Sequence, residues 1–127
     1  MKNINGKVKK YDYKGELEFE GEYLNGNRNG KGKEYYEGKL KFEGEYLNGN
    51  RNGKGKEYGY KDKLIFEGEY FNGKRWEGKG YDESGNIIYE LKGGKGLVKE
   101  YYYDGKIKYE FECLNGERNK KWKTIWL

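Results

Sequence analysis

The chain has 127 residues, enough for one domain, but 39% are charged against 33% hydrophobic, which leaves too little apolar material for a thick two-layer core. A mean hydropathy of −1.35 would suit disorder, yet aromatic residues make up 18% and recur at regular spacing, which excludes that class. The net charge of +5 is spread among interleaved Lys and Glu, so nucleic acid is disfavoured as a partner, since its binders concentrate basic residues on one face.

A half unit, Asn5 to Tyr11, opens the chain (half repeat 5–18). Phe19 to Tyr35 then reads FEGEYLNGNRNGKGKEY, Phe42 to Tyr58 repeats it, and a third version starts at Phe66 as FEGEYFNGKRWEGKGY. Glycine recurs in every unit, and each glycine inside a helix costs about 1 kcal/mol relative to alanine; proline is absent, so every backbone N–H is free to join a ladder. Each unit therefore predicts a hairpin: in the first, strands over 19–24 and 30–36 joined by a loop over Asn25 to Asn29. Turns are expected at Lys14-Gly15, Glu37-Gly38 and Asp104-Gly105. The repeats run over about 19–41, 42–65 and 66–87, followed by degraded units over about 88–108 and 109–127. Trp122, Ile125 and Trp126 are expected to cap the last sheet edge. The fold class is all-β: an elongated, twisted, single-layer antiparallel meander of stacked β-hairpins.

Two-residue alternation puts Phe19, Gly21 and Tyr23 on one face and Glu20, Glu22 and Leu24 on the other. The expected register sets Tyr23 opposite Gly32 and Glu22 opposite Lys33, repeated as Tyr46 over Gly55 and Glu45 beside Lys56. Unit starts are spaced by 23 and 24 residues, and an odd period on a two-residue pleat would flip the aromatic face at every unit. A three-residue turn, Glu37-Gly38-Lys39, with a bulge would restore the phase and keep Tyr36, Leu40 and Phe42 on the Tyr23 face.

Little catalytic chemistry is on offer. The chain has no histidine, one cysteine (Cys113), one serine (Ser84) and one threonine (Thr124), so the common hydrolase constellations are absent and no cofactor or metal is expected. The recurring Glu20/Glu22, Glu43/Glu45 and Glu67/Glu69 pairs read as charge pairing on a sheet face rather than as glycosidase acids. The Gly30-Lys31-Gly32 loop lacks the Ser/Thr and helix of a phosphate loop. One cysteine fits a reducing compartment, and no apolar run is long enough for a signal peptide or bilayer span, so cytoplasmic location is the default, with peripheral membrane attachment as the variant.

Two candidate surfaces remain. Phe19, Tyr23, Phe42, Tyr46, Phe66 and Tyr70 should form aromatic stripes suited to a protein partner. Arg28, Arg51, Arg75 and Arg118 recur at the hairpin loops, either meeting anions or folding back on the sheet by hydrogen bonding or stacking. At mid-array Lys74, Arg75 and Trp76 form a loop patch, and Trp76-Glu77 departs from the copied sequence.

The pattern aromatic-Glu-Gly-Glu-aromatic, Asn-Gly, Arg, Gly-Lys-Gly, at Phe19 to Gly32, at Phe42 to Gly55 and, with one inserted residue near Trp76, at Phe66 to Gly80, resembles the MORN (membrane occupation and recognition nexus) repeat. The resemblance implies a single-layer sheet with one hairpin per repeat, serving as a non-catalytic protein-interaction or scaffold module. It also implies two variants, phospholipid-headgroup binding and an antitoxin- or immunity-type binding protein of bacterial or phage origin. No activity-bearing domain accompanies the repeats, so a stand-alone repeat protein or a fragment is expected. A protein partner is the first expectation; homodimerisation through an open edge and anionic lipid are the others.

Overall fold

The computed structural model describes residues 4–102, 104 and 106–119; the expected cap of Trp122, Ile125 and Trp126, and Gly105 of the last expected turn, lie outside them. Among these residues eleven strands follow in chain order: β1 (Gly6–Tyr11), β2 (Leu17–Leu24), β3 (Asn27–Tyr36), β4 (Lys39–Leu47), β5 (Asn50–Tyr58), β6 (Leu64–Phe71), β7 (Lys74–Tyr81), β8 (Ile87–Leu91), β9 (Gly96–Tyr101), β10 (Ile107–Leu114) and β11 (Glu117–Arg118). Strands β1 to β8 pair in sequence order as one open antiparallel sheet, and β9 to β11 form a second, three-stranded one. This is the all-β, single-layer meander of hairpins expected from the repeat.

Register makes each residue type a row across the sheet. A glycine row, Gly21, Gly32, Gly44, Gly55, Gly68 and Gly78, runs shoulder to shoulder from β2 to β7, flanked by Val8 and Leu91. One residue further along each strand, Lys9, Glu20, Lys33, Glu43, Lys56, Glu67, Lys79 and Glu90 alternate in sign across all eight strands. The next row alternates Phe19, Glu34, Phe42, Glu57 and Phe66. The expected register is thus corrected: Gly21, not Tyr23, faces Gly32, Glu20, not Glu22, faces Lys33, and likewise Gly44 faces Gly55 and Glu43 faces Lys56. Tyr23 and Tyr46 face Arg28 and Arg51 instead.

The cause is a shorter turn and a larger bulge. The expected loop Asn25 to Asn29 contracts to Asn25-Gly26, both at positive φ (51° and 82°), the two-residue hairpin geometry that Asn-Gly favours. The surplus residues move into β3, where three (Asn29, Gly30 and Lys31) stand opposite Glu22 alone. Gly30, at φ 101°, makes the bulge possible, and the Glu22 carboxylate accepts the Lys31 N–H at 2.6 Å. Phase is restored in the ladder rather than the turn. Glu37-Gly38 is a two-residue turn closed by Tyr36 and Lys39, and the compensating shift falls between Glu34 and Tyr35. Phe42 is sealed, but Tyr36 is exposed.

Each bulge also serves the next unit. Its outward carbonyl accepts the glycine N–H of the following hairpin tip: Gly49 to Arg28, Gly73 to Arg51, Gly94 to Trp76, each at 2.8 Å. Beside these, the Asn48 and Asn72 N–H groups donate to the side chains of Asn29 and Asn52. The Asn-Arg-Asn segment is thereby explained as inter-unit stitching. In the third copy the segment is one residue shorter, not longer: only Trp76 is extra between the Tyr70–Arg75 and Glu69–Glu77 pairs, which corrects the expected insertion.

The sheet splits after β8 because the glycine row ends. Leu91 follows Gly78, and in the second sheet Val98 faces Phe111, so a ring can no longer lie flat on bare backbone there. Among the described residues, only the Lys92–Lys95 bridge around Gly93-Gly94 joins the two sheets as a ladder.

Candidate interaction surface

On the aromatic face the Phe rings lie across the glycine row. A Cβ on Gly32 would stand 2.6 Å from Phe19 Cζ and 2.9 Å from Tyr46 Cε1, and one on Gly55 would stand 2.7 Å from Phe42 and 2.9 Å from Tyr70. Neighbouring rings meet edge to face, Phe19 with Tyr46 at 5.4 Å and Phe42 with Tyr70 at 5.1 Å, an arrangement worth about 0.5–1.5 kcal/mol per pair beyond burial. Arginine closes the layer from above. The Arg28, Arg51 and Arg75 guanidinium carbons sit 4.0, 4.1 and 4.9 Å over Phe19, Phe42 and Phe66.

Glutamates of the Phe row anchor Arg51 and Arg75. Arg51 donates to Glu34 through Nε at 2.8 Å and Nη2 at 3.1 Å. Arg75 grips Glu57 through Nε at 2.9 Å and Nη2 at 2.8 Å, and its Nη1 donates to the Tyr89 hydroxyl at 2.7 Å. The Tyr46 hydroxyl donates to Glu34, and that of Tyr70 to Glu57 at 2.7 Å. Among the described residues no buried side-chain polar atom lacks a partner.

Burial alone would raise the Glu57 carboxyl, but the Arg75 hydrogen bonds and charge, with the Tyr70 hydroxyl and Arg51, hold it below the usual carboxylate range. Glu34 is depressed too, burial being outweighed by hydrogen bonds from Arg51 and Tyr46. Burial, then the neighbouring carboxylates, push the Tyr46 and Tyr70 hydroxyls well upward. A carboxyl with a depressed folded pKa contributes stability that is present above its unfolded pKa and lost as pH falls through the folded value. The array should therefore hold constant stability at mildly acidic pH and lose it progressively below the ordinary carboxyl value of 4.5. Thermal midpoints measured from pH 7 to pH 2 check this, and a midpoint flat to pH 2 counts against the Glu–Arg anchors.

The six expected interface rings are thus the core of the array. Phe19, Phe42 and Phe66 are wholly buried, and Tyr23, Tyr46 and Tyr70 are at most 8% exposed, so they offer a partner almost no surface. Replacing Tyr46 and Tyr70 with alanine would remove core volume, at about 3–5 kcal/mol each by analogy with Phe, before it tested binding. The loop arginines fold back on the sheet, the second of the two readings offered by the sequence. Lys74 pairs with Glu117 at 2.6 Å. Trp76 packs on Phe71 at 5.2 Å, and its ring would stand 2.8 Å from a Cβ on Gly94 and 3.3 Å from one on Gly116. The departure at Trp76 therefore pins the last hairpin tips. The sequence reading passed over Glu34 and Glu57; two-residue parity from Gly32 and Gly55 was the available signal, since it puts both on the aromatic face.

What remains outward is the opposite face. Leu24, Leu47 and Phe71, the residues before each Asn-Gly turn, are 51%, 50% and 50% exposed, on β2, β4 and β6. Two strand spacings, about 9.5 Å, separate one from the next. Beside this apolar seam run the alternating lysines and glutamates, and Glu20, Lys33, Glu43 and Lys56 wall a shallow groove of about 550 Å³ floored by Gly32 and Gly44. At the open end of the sheet, β1 carries Lys7, Lys9 and Lys10, charges that blunt an unpaired edge.

Comparison with known proteins finds no matching family model and no significantly similar curated sequence. No helix among the described residues is long and apolar enough to cross a membrane.

Proposed function

We propose that this chain is a non-catalytic protein-interaction or scaffold module, a MORN-like array, acting in the cytoplasm. The observation that carries the reading is the half-exposed seam of Leu24, Leu47 and Phe71, repeated in register and bordered by ordered charge. Apolar side chains at an interface centre with a polar rim are the arrangement that supplies binding energy and specificity. The proposal keeps the interaction role expected from the repeat and moves the receiving surface from the sealed tyrosine face to the opposite one.

The test is a double variant, Leu24→Asp with Leu47→Asp. Both sites are at the surface, so the fold should stay within about 0.5 kcal/mol of the parent, while affinity for a partner isolated from the native host should fall at least tenfold, or about 1.4 kcal/mol. Undiminished affinity in the folded variant sinks the seam. Headgroup binding calls for clustered cations, whereas the lysines here alternate with glutamates; flotation of the chain with anionic liposomes at low salt would revive that reading. Homodimerisation through β1 would set its lysines against one another, which disfavours it.

A further inference from the structure

β1 is built as the second strand of a hairpin whose first strand is not among the described residues. Its register on β2 copies that of β3 on β4: Lys7, Val8, Lys9 and Lys10 face Glu22, Gly21, Glu20 and Phe19 as Lys31, Gly32, Lys33 and Glu34 face Glu45, Gly44, Glu43 and Phe42. The stitching is copied too. The Gly26 N–H donates to the Ile4 carbonyl at 2.9 Å, as that of Gly49 does to Arg28 at 2.8 Å, and the Asn5 side chain accepts the Asn25 N–H as Asn29 accepts that of Asn48. Residue for residue, Ile4 to Lys10 stands for Arg28 to Glu34.

The copy extends to a conformation that serves a neighbouring strand. Gly6 holds φ 94°, beside 101° at Gly30 and 102° at Gly53, the glycines that bulge against the strand before them. At Gly30 and Gly53 an added Cβ would strike the Glu22 and Glu45 carboxylates, which accept the next N–H along, that of Lys31 at 2.6 Å and of Lys54 at 2.7 Å. A Cβ on Gly6 would meet nothing within 4 Å, and the shared register turns the Lys7 N–H away from β2 into that open space. The same geometry that seats a glutamate in the next two units is therefore formed on β1 and faces outward. The charge row agrees: Lys33 lies between Glu20 and Glu43, and Lys56 between Glu43 and Glu67, but Lys9 faces Glu20 on one side only. An edge strand also turns every second N–H and C=O outward, where an extended segment can pair with them. Val8 is the departure. It takes the place of Gly32, across which the Phe19 ring lies, so an added strand fits with a smaller residue where the array has Phe.

We propose that the outer edge of β1 receives an extended segment of a partner protein, added as an antiparallel strand carrying Glu-x-Glu. One carboxylate accepts the Lys7 N–H beside Gly6, and the other lies opposite Lys9, so the lysines that oppose self-pairing select an acidic strand. The probe is the capped peptide TVEGEVT, titrated into the isotope-labelled chain and followed by amide resonances. Saturation is expected to shift the Gly6, Lys7 and Lys9 amides and to slow hydrogen exchange at Lys7. The glutamine peptide TVQGQVT should bind about tenfold more weakly, and TFEGEVT severalfold more weakly because Val8 blocks the ring. Gly6→Val, which cannot hold the positive φ, should weaken TVEGEVT about tenfold, and Lys9→Glu should weaken it severalfold at an unchanged thermal midpoint. Leu47→Asp, in the apolar seam, should leave it unchanged, so the edge and the seam stand or fall separately. No saturation at millimolar TVEGEVT overturns the proposal, as does equal binding of TVQGQVT or a set of shifts centred away from β1. A chain that dimerises by itself with its β1 amides protected overturns it too, since a second copy then fills this edge.

Discussion

Exchanging Glu57 for glutamine is expected to destabilise the array by about 3 kcal/mol, the lower end of what breaking a buried ion pair costs. The shape of the side chain is kept and only its charge is lost, yet that charge answers two guanidinium groups: Arg75 in a two-pronged grip and Arg51 at 3.5 Å. Both arginines are three-quarters buried, so neither recovers full hydration when its counter-ion is removed. The Tyr70 hydroxyl, which donates to Glu57, loses its charged acceptor in the same step. Glu67→Gln is the comparison: its carboxylate stands 3.7 Å from Lys56 with both side chains nearly half exposed, a pair worth about 0–1 kcal/mol. Urea unfolding of the two variants separates the cases. Equal small losses would mean that the glutamates of the aromatic face are no more than surface charges.

That contrast also marks how far the sequence could be read. The hairpins, the meander and the face alternation follow from Asn-Gly spacing and two-residue parity, which are local properties of the chain. The register does not, because it depends on where surplus residues go. A five-residue reading of Asn25 to Asn29 and a two-residue turn with a wide bulge fit the same letters, and the difference lies in the N–H of Lys31 finding the Glu22 carboxylate and that of Gly49 finding the Arg28 carbonyl. Both bonds join residues nine or more apart. Exposure differs from the expectation for a related reason: a single-layer sheet has no second layer to cover its rings, yet Arg28, Arg51 and Arg75 reach back over them.

The second large effect is expected from alanine in the glycine row. Gly44→Ala adds one methyl group, and in an unstrained site the change would stabilise by about 0.4–1 kcal/mol through the unfolded chain. Here the new Cβ would stand 2.5 Å from the Lys54 carbonyl oxygen and 2.7 Å from the Gly55 Cα, both backbone atoms fixed by the ladder, so overpacking of about 3 kcal/mol should dominate. Gly55→Ala differs in kind. Its nearest obstacles are the edges of Phe42 and Tyr70 at 2.7 and 2.9 Å, so trimming a ring by Phe42→Leu should recover more of the Gly55→Ala loss than of the Gly44→Ala loss, where it relieves a Phe42 Cζ contact at 2.8 Å but leaves both backbone clashes. Gly38→Asn, in an outer turn at φ 77° with open space around it, should be close to neutral, because asparagine tolerates that conformation. Chemical denaturation of these variants decides whether the rings rest on bare backbone. If Phe42→Leu rescues both row positions equally, or if Gly44→Ala costs no more than Gly38→Asn, the close approach that organises the whole array is not what holds it together.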